Sequence, residues 1–274
     1  DLNRLTLSGA TVGQFRVLGR WPSGRIKWVL VDTQASLAAG QANTGIALRD
    51  GGSGNFGGPD LATDDGATIT VNTGTATFTI RKARFNVLDR VVVGDRTLVT
   101  SGSSEGLVVN GPPPGQTTCP PCTTVYPSAN DPNSTAVIEE NGPAKAVIKA
   151  TGRHVDASGF AYLQFTVRMY FYKDKSWLKI TSILRNAEYG KSNTFATAYK
   201  GHQGYEIRVR PSLGGPLSYA IANHTSSPTT GTVSGSESVY LFQGDSDLMK
   251  DTRNGCGYGC VPYTTDPGYR LVAN

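Results

Sequence analysis

Apolar and polar residues alternate with a period of two along much of the chain, most clearly in the segment FAYLQFTVRMYFY at residues 160–172. This period is typical of a β-strand whose two faces meet different surroundings. One face is apolar and predicts core positions for Leu163, Phe165, Val167, Met169 and Phe171. The other face is too aromatic for an ordinary solvent surface, so we expect it to pack a second layer or to line a groove. It supplies three candidate ligand-binding residues, which are Arg168, Tyr170 and Tyr172.

Turn residues separate further alternating segments and predict a series of hairpins. The segment TITVNTGTATFTIR predicts strands over 68–72 and 75–81 around a Thr73–Gly74 turn, and VVVGDRTLV predicts a second hairpin around Gly94–Asp95. The same pattern predicts strands within 134–142, 144–155, 177–186, 204–210 and 238–245. No segment requires a helix longer than a turn or two. The chain is therefore predicted to be all-β.

The stretch GRWPSGRIKWVLVDTQ at residues 19–34 predicts another hairpin. Its WPSG sequence supplies the proline and the glycine of a tight turn, and the alternation resumes directly after it. Trp28 lies on the opposite face from Arg25 and Lys27 in this pattern. We expect Trp28 to be a buried core residue, so that its truncation would lower the free energy of unfolding by about 3 to 5 kcal/mol.

A glycine-rich segment at residues 38–66 indicates a domain junction, because its composition suits a loop better than a strand or a helix. We therefore divide the chain into two domains, residues 1–65 and residues 66–274. The second is predicted to be the larger. A length of 274 residues is sufficient for such a core without disulfides or metals.

Composition and charge narrow the classes of function. The chain has 33 glycines, 15 prolines and only 17% charged residues, which is typical of many short strands joined by polar turns. It has no apolar run of about 18 residues, so we expect no membrane span. The net charge of +5 is spread along the sequence without a basic stripe, which argues against a nucleic-acid partner. The charge suits an acidic polysaccharide or a cell-surface glycan, although solubility alone explains it as well.

The four cysteines form two close pairs in glycine- and proline-rich loops, Cys119 with Cys122 and Cys256 with Cys260. Two disulfides account for them, in any of three pairings that the sequence does not separate, and so does one structural zinc ion on four thiolates. The disulfides are favoured because the composition is typical of an oxidising, extracytoplasmic setting.

Two triplets have the pattern of N-glycosylation sites, with Asn133 and Asn223 as the acceptors. Together with the cysteines they predict an extracellular or cell-surface protein. The first residue is Asp1, so we expect that a leader has been removed or that the sequence is a piece of a longer chain.

Three segments carry a resemblance to a known family: RWPSGRIKWVLVD, GDRTLV, and the long run from AKAVIKATGRHV to LKITSILRN. They resemble the YetA-like or exo-rhamnogalacturonan lyase family, and the resemblance covers most of residues 15–210. It implies a small N-terminal RIFT-type β-barrel, here partial, followed by a large antiparallel β-sandwich, here truncated. The α/α-toroid of that family is absent from this sequence. Because its catalytic groove is expected between toroid and sandwich, we expect no turnover by this chain alone.

Eliminative cleavage of a uronate needs a base, an acid and a cation for the carboxylate. The segment YKGHQGYEIRVR offers Tyr199 and His202 as base and acid, Tyr205 as a second proton carrier, and Arg208 or Arg210 as the cation. The same residues also suit plain roles, namely packing tyrosines, a solvated histidine and the exposed face of a strand. The catalytic candidates are His202, Tyr205 and Arg208.

Two acidic pairs offer oxygen ligands for calcium, Asp64 with Asp65 and Asp245 with Asp247, but their glycine-rich surroundings favour turns. We therefore predict neither a metal site nor a cofactor. His154 follows an arginine in a predicted turn, and we expect it at the surface.

Three classes of function remain at this point. The chain is part of a carbohydrate-active enzyme, a sugar-binding module without catalysis, or a structural subunit of an extracellular assembly or filament that self-assembles through strand edges. For these residues alone we favour binding or a structural role over catalysis.

Overall fold

The computed structural model of the chain describes residues 2–42, 45–51, 58–119, 121–186 and 200–212, and four later strands. The chain divides into two compact units, Asp1–Ser212 and Leu213–Asn274. The described residues form strands and two short 3₁₀ helices, and none of them forms an α-helix. No helix among them is long and apolar enough to cross a membrane.

Sixteen strands of the first unit are numbered here along the chain. They are β1 (Leu5–Ser8), β2 (Gly13–Arg20), β3 (Ile26–Thr33), β4 (Ala47–Asp50), β5 (Ala62–Asp64), β6 (Thr68–Asn72), β7 (Ala76–Arg81), β8 (Arg90–Val93), β9 (Arg96–Val99), β10 (Gly106–Gly111), β11 (Thr124–Pro127), β12 (Thr135–Glu140), β13 (Lys145–Val155), β14 (Ala161–Tyr172), β15 (Leu178–Arg185) and β16 (Gly204–Arg208). The 3₁₀ helices are Leu2–Arg4 and Ser128–Asn130.

The second unit contains two antiparallel strand pairs in its described part. The first pair is β17 (Leu217–Ile221) with β18 (Thr229–Val233), and the second is β19 (Val239–Gln243) with β20 (Tyr269–Ala273). The strand predicted within 238–245 is confirmed as β19.

Three antiparallel sheets build the sandwich of the first unit. Strands β5 to β9 form one sheet in chain order, and strands β12 to β15 form a second sheet in chain order. Strand β10 lies between β11 and β16 in the third sheet, and an isolated bridge joins Val99 of β9 to Pro211 just after β16. The predicted fold class, an all-β protein with an antiparallel sandwich, is confirmed.

The core lies between the five-stranded and the four-stranded sheet. Phe78 of β7 meets Phe171 of β14 across the two layers, with ring centroids 5.1 Å apart. Phe85, in the loop after β7, stacks on Phe165 at 5.6 Å. All four rings are at most 1% exposed. The predicted core face of β14 is confirmed, because its five apolar residues are all buried.

The hairpins of the five-stranded sheet follow the predicted turns. Strand β6 spans the predicted 68–72, and Gly74 adopts the left-handed backbone that the turn before β7 requires, with φ of 95°. Strand β5 ends before the predicted domain boundary at residue 65 and pairs with β6 after it. That boundary stays a prediction.

The N-terminal region contains two antiparallel strand pairs, β1 with β4 and β2 with β3. The partial barrel implied there by the resemblance stays a prediction. Gln14 of β2 contacts the sandwich, where its side chain accepts hydrogen bonds from the backbone of Ala144 and Lys145 and donates one to Glu140. The buried ammonium of Lys145 lies 2.7 Å from Asp32 of β3 and 3.2 Å from Glu140.

The prediction of a buried Trp28 is wrong, because 64% of its surface is exposed. The hairpin of β2 and β3 meets the sandwich at Gln14 and Asp32, which lie far from its turn. Trp28 lies close to that turn, opposite Gly19, and Trp21 beside the turn is also 52% exposed. The alternation correctly separates two faces of the strand, but it does not determine which face another layer covers.

Replacing Trp28 by alanine should change the free energy of unfolding by less than about 1 kcal/mol, since an exposed side chain has little burial to lose. Phe78→Ala is the matched comparison and should cost about 3 to 5 kcal/mol, because that ring lies in the core. Urea titrations of both variants would measure the difference. Equal losses would contradict the exposed position of Trp28.

Replacing Lys145 by glutamine should lower the free energy of unfolding by about 2 to 4 kcal/mol, because it removes the cation of Asp32 and leaves Glu140, among the described residues, with only Arg16 as a cation, at 3.7 Å. Burial by itself lowers the pKa of Lys145, but the ion pairs with Asp32 and Glu140 raise it above its ordinary value. Lys149→Gln, on the outer side of the same strand, is the control and should change stability by less than about 1 kcal/mol. A loss no greater than that of the control would contradict the ionic contact.

Candidate functional site

The predicted catalytic residues are distributed over different surroundings. Tyr205 of β16 is half-buried, and its hydroxyl contacts the hydroxyl of Ser182. Burial raises the pKa of Tyr205, which disfavours the phenolate that a base would need. The side chain of His202 is exposed in the loop before β16, where partial desolvation lowers its pKa. Tyr199 lies outside the described residues.

The arginines of this segment are neutralised by carboxylates. Arg208 lies 3.1 Å from Glu105 and 2.8 Å from Glu206, and Arg210 also contacts Glu105. Hydrogen bonds from Arg210, with those from Arg208, lower the pKa of Glu105 and keep it ionised. Tyr205 and Arg208 are three positions apart in one strand and so point to opposite faces. The geometry does not assemble them into one proton-transfer site, and their catalytic roles stay a prediction.

The predicted ligand-binding residues lie on the side of β14 that faces away from the core, which we call the outer face of the four-stranded sheet. Arg168 there makes a two-point ion pair with Glu139, at 2.6 and 2.8 Å. Tyr170 lies under the ammonium of Lys179, 5.6 Å from its ring centroid. Arg168 is thus already paired, and its role in binding a ligand stays a prediction, as do those of the two tyrosines.

A cleft of about 1100 Å³ lies at the other end of this outer face. Three arginines line it, Arg84 from the loop after β7, Arg153 from β13 and Arg185 from β15. Gln164 of β14 is paired in register with both Arg153 and Arg185. Since neighbouring strands are about 4.8 Å apart, these two arginines lie on either side of Gln164 on one face. We call this concavity the arginine cleft.

The three arginines of the cleft are exposed. Among the residues that the structure describes, none of the three guanidinium groups has an ion-pair or hydrogen-bond partner. Arg168 and Arg208, by contrast, are paired with carboxylates. Within the described ranges, the cleft therefore presents three guanidinium groups to solvent that are not in ion pairs.

The two carboxylates in the cleft are buried and are held by the backbone. Asp131 accepts hydrogen bonds from the N–H groups of Arg153, at 2.7 Å, and Asn133, at 2.9 Å. Asp156 accepts from the hydroxyl of Ser158 and from two backbone N–H groups. Burial by itself raises the pKa of Asp156, but these bonds lower it below its ordinary value. Both acids shape the turns of the cleft and leave its cations free.

Backbone geometry positions the third arginine. Arg84 has a φ of 53°, in the left-handed region that side chains other than glycine rarely adopt. Its N–H donates to the carbonyl of Asp131, and the next N–H, that of Phe85, donates to the hydroxyl of Ser134. Strained backbone held by several bonds is common at functional sites. The bonds across this loop fix Arg84 at the edge of the cleft.

The first predicted glycosylation acceptor lies at this cleft as well. Asn133 is exposed and lines the cleft, so a glycan on it would border the three arginines. Glycosylation of Asn133 stays a prediction, and Asn223 lies outside the described residues.

Cys119 forms a disulfide with Cys122, which confirms the predicted disulfide state of these two cysteines and supplies a pairing that the sequence left open. This bond takes two of the four sulfurs that the alternative zinc site requires. Cys256 and Cys260 lie outside the described residues. Within the described ranges, no group of three or more histidine, cysteine or acidic side chains is placed to hold a metal ion.

The acidic pair proposed for calcium forms a turn. Asp64 makes an ion pair with Lys82 at 2.9 Å, and Asp65 accepts hydrogen bonds from the backbone and hydroxyl of Thr68. Asp245 and Asp247 lie outside the described residues.

His154 is fully buried, so the prediction of a surface position is wrong. Its Nδ1–H donates to the carbonyl of Leu163 at 3.0 Å, and its ring meets the edges of Phe165 and Tyr205. No hydrogen-bond partner for Nε2 exists in the described part of the chain. The expected turn is absent here, because β13 continues to Val155. His154 is an even position of this strand, like the buried Ile148 and Ala150, so its imidazole points into the core.

The fold and the cleft together define an antiparallel β-sandwich domain with a cationic surface site. Residues 61–190 match the family model of the PcRGLX-like protein central beta sandwich domain, a family related to rhamnogalacturonan lyases. No curated protein matches the chain. The match supports the predicted relationship at the level of this domain and indicates a carbohydrate-related role. The RIFT-type barrel and the closer resemblance to YetA-like proteins stay predictions.

Burial lowers the pKa of His154 to about 4 from an unfolded value of 6.5, so the unfolded chain binds more protons between these two pH values. The free energy of unfolding should therefore fall as the pH decreases from 7 to 4, with about 3 kcal/mol of the loss due to this imidazole. His154→Gln should remove that part of the pH dependence in urea titrations. His202→Gln, at an exposed histidine, should leave most of this pH dependence in place. A His154→Gln variant with the wild-type pH slope would contradict the buried neutral imidazole.

Proposed function

We propose that the chain binds an acidic polysaccharide through the arginine cleft. The observation that carries the proposal is the set of three exposed guanidinium groups around one concavity, none with a partner among the described residues. Guanidinium groups bind carboxylates through paired hydrogen bonds, and several of them around a cleft concentrate an anionic ligand. A uronate in a polysaccharide chain offers such a carboxylate together with hydroxyl groups.

The other groups of the cleft suit the hydroxyls of a sugar. Thr135, Thr151, Thr166 and Gln164 line it and offer both donors and acceptors. The carbohydrate-related family match of residues 61–190 supports the same class of ligand. The proposal is one of binding, because the candidate proton carriers His202 and Tyr205 are not among the residues that line this cleft.

We also propose that the protein acts outside the cytoplasm, in the medium or at a cell surface. The disulfide between Cys119 and Cys122 supports this location, since disulfides form and persist mainly in oxidising compartments. An acidic polysaccharide would be encountered there.

Isothermal titration with a galacturonic acid trimer tests the binding. The double variant Arg153→Gln with Arg185→Gln should raise the dissociation constant by about 30-fold, which corresponds to about 1 kcal/mol for each exposed charge-assisted contact. Wild-type affinity should also fall as NaCl is added, because salt screens exposed charges. Arg90→Gln, an exposed arginine of the five-stranded sheet, is the matched control and should bind like the wild type.

Two results would contradict the proposal. One is equal affinity of the wild type and the double variant for the acidic trimer. The other is equal binding of a neutral galactose trimer, which would show that the carboxylates are not recognised.

A further inference from the structure

A second group of unusual side chains lies on the same outer face as the arginine cleft, at the opposite end of β14. Trp177, in the turn before β15, is 55% exposed although tryptophan is a large apolar residue. Its ring lies 5.2 Å from that of Tyr172, and Tyr170 is the next outward residue along the strand. We call Tyr170, Tyr172 and Trp177 the aromatic end.

The two ends are connected along β14 and β15. On the β13 side the face is covered near the aromatic end, because Val147 and Lys145, the partners of Tyr170 and Tyr172, are buried. Gln164, in the arginine cleft, and Tyr172, in the aromatic end, are eight positions apart in β14, so both point outward and lie about 26 Å apart. The pairing of β14 with β15 runs without a bulge from Gln164 to Phe171. The cleft is therefore one end of a longer face and not an isolated pocket.

The surface between the ends is mostly polar. Thr166 and Thr181 carry hydroxyls, and the ion pair between Arg168 and Glu139 lies midway along β14. Ile183 is the apolar exception on β15, at 50% exposure. Hydroxyls and charges of this kind suit contacts with the hydroxyl groups of a sugar chain.

The aromatic end and the arginine cleft suit different parts of one ligand. The flat C–H face of a pyranose ring stacks on an exposed aromatic ring, whereas its carboxylate binds a guanidinium. A linear acidic polysaccharide offers both at regular intervals along an extended chain. Its charge complements the arginines, and its length matches the outer face.

We infer that the outer face of the four-stranded sheet binds an extended acidic oligosaccharide, with uronate carboxylates in the arginine cleft and a pyranose ring on Trp177. This inference rests on the proposed function and deepens it, because it adds a second subsite and a dependence on chain length. A short oligosaccharide occupies only the cleft, and a long one reaches both ends.

Titration with galacturonic acid oligomers of two lengths tests this inference. A trimer is shorter than the distance between the two ends, and an octamer is longer. The wild type should bind the octamer about tenfold more tightly than the trimer, a gain of the size that one stacking aromatic contributes. Trp177→Ala should reduce the octamer affinity to that of the trimer and leave trimer binding unchanged. Trimer binding by this variant also shows that it is folded.

Trp28→Ala is the matched control, because it removes another exposed tryptophan of the first unit. It should bind both oligomers like the wild type. Equal affinity of the wild type for the two lengths, or an octamer affinity unaffected by Trp177→Ala, would overturn the extended site while leaving the arginine cleft in place. Absence of trimer binding by the wild type would instead overturn the proposed function.

Discussion

The packing of β14 between a buried and an outer side is the constraint on which the rest of the structure depends. Phe165 and Phe171 fix the strand against aromatic rings of the opposite layer at 5.6 and 5.1 Å. A shift of one residue in its pairing would turn these rings to solvent and bring Arg168 into the core. The hydrophobic contact therefore sets the register of the sheet, and the register places Gln164 between Arg153 and Arg185. The alternation of apolar and polar residues in β14 thus determines both the packing of the core and the side chains on the outer face.

Much of the sandwich follows from local sequence patterns. The alternation predicts the two faces of β14, and the turn residues Thr73 and Gly74 predict the hairpin of β6 and β7, because each signal lies within the element it describes. The burial of Trp28 depends on whether residues distant in the chain cover it, so the sequence around Trp28 does not determine it. The inward position of His154 follows from the alternation of β13, which also buries Ile148 and Ala150. The prediction failed because it placed a turn after Arg153, where the strand continues to Val155.

The arginine cleft, too, could be predicted only in part from local sequence patterns. Arg185 continues the exposed series of Lys179, Thr181 and Ile183, so its outward position is readable from the sequence. Arg84 gives no such signal, because it lies in a loop with a left-handed backbone and reaches the cleft only through contacts with residues 131–134. Whether a guanidinium is free or paired depends on neighbours across the sheet. The carboxylate partner of Arg168 comes from β12, 29 positions earlier in the chain.

The outer residues of β15 have a consequence for the behaviour of the protein in concentrated solution. Among the described strands, β15 pairs on one side only, and a strand at the edge of a sheet is the kind that can pair with a strand of another molecule. Lys179 and Arg185 lie near its two ends, and like charges oppose the approach of a second copy. Arg185, which we propose as a contact for an anionic ligand, would thereby also oppose edge-to-edge pairing. A polyanion bound along this edge would neutralise that charge and so remove the repulsion between two copies.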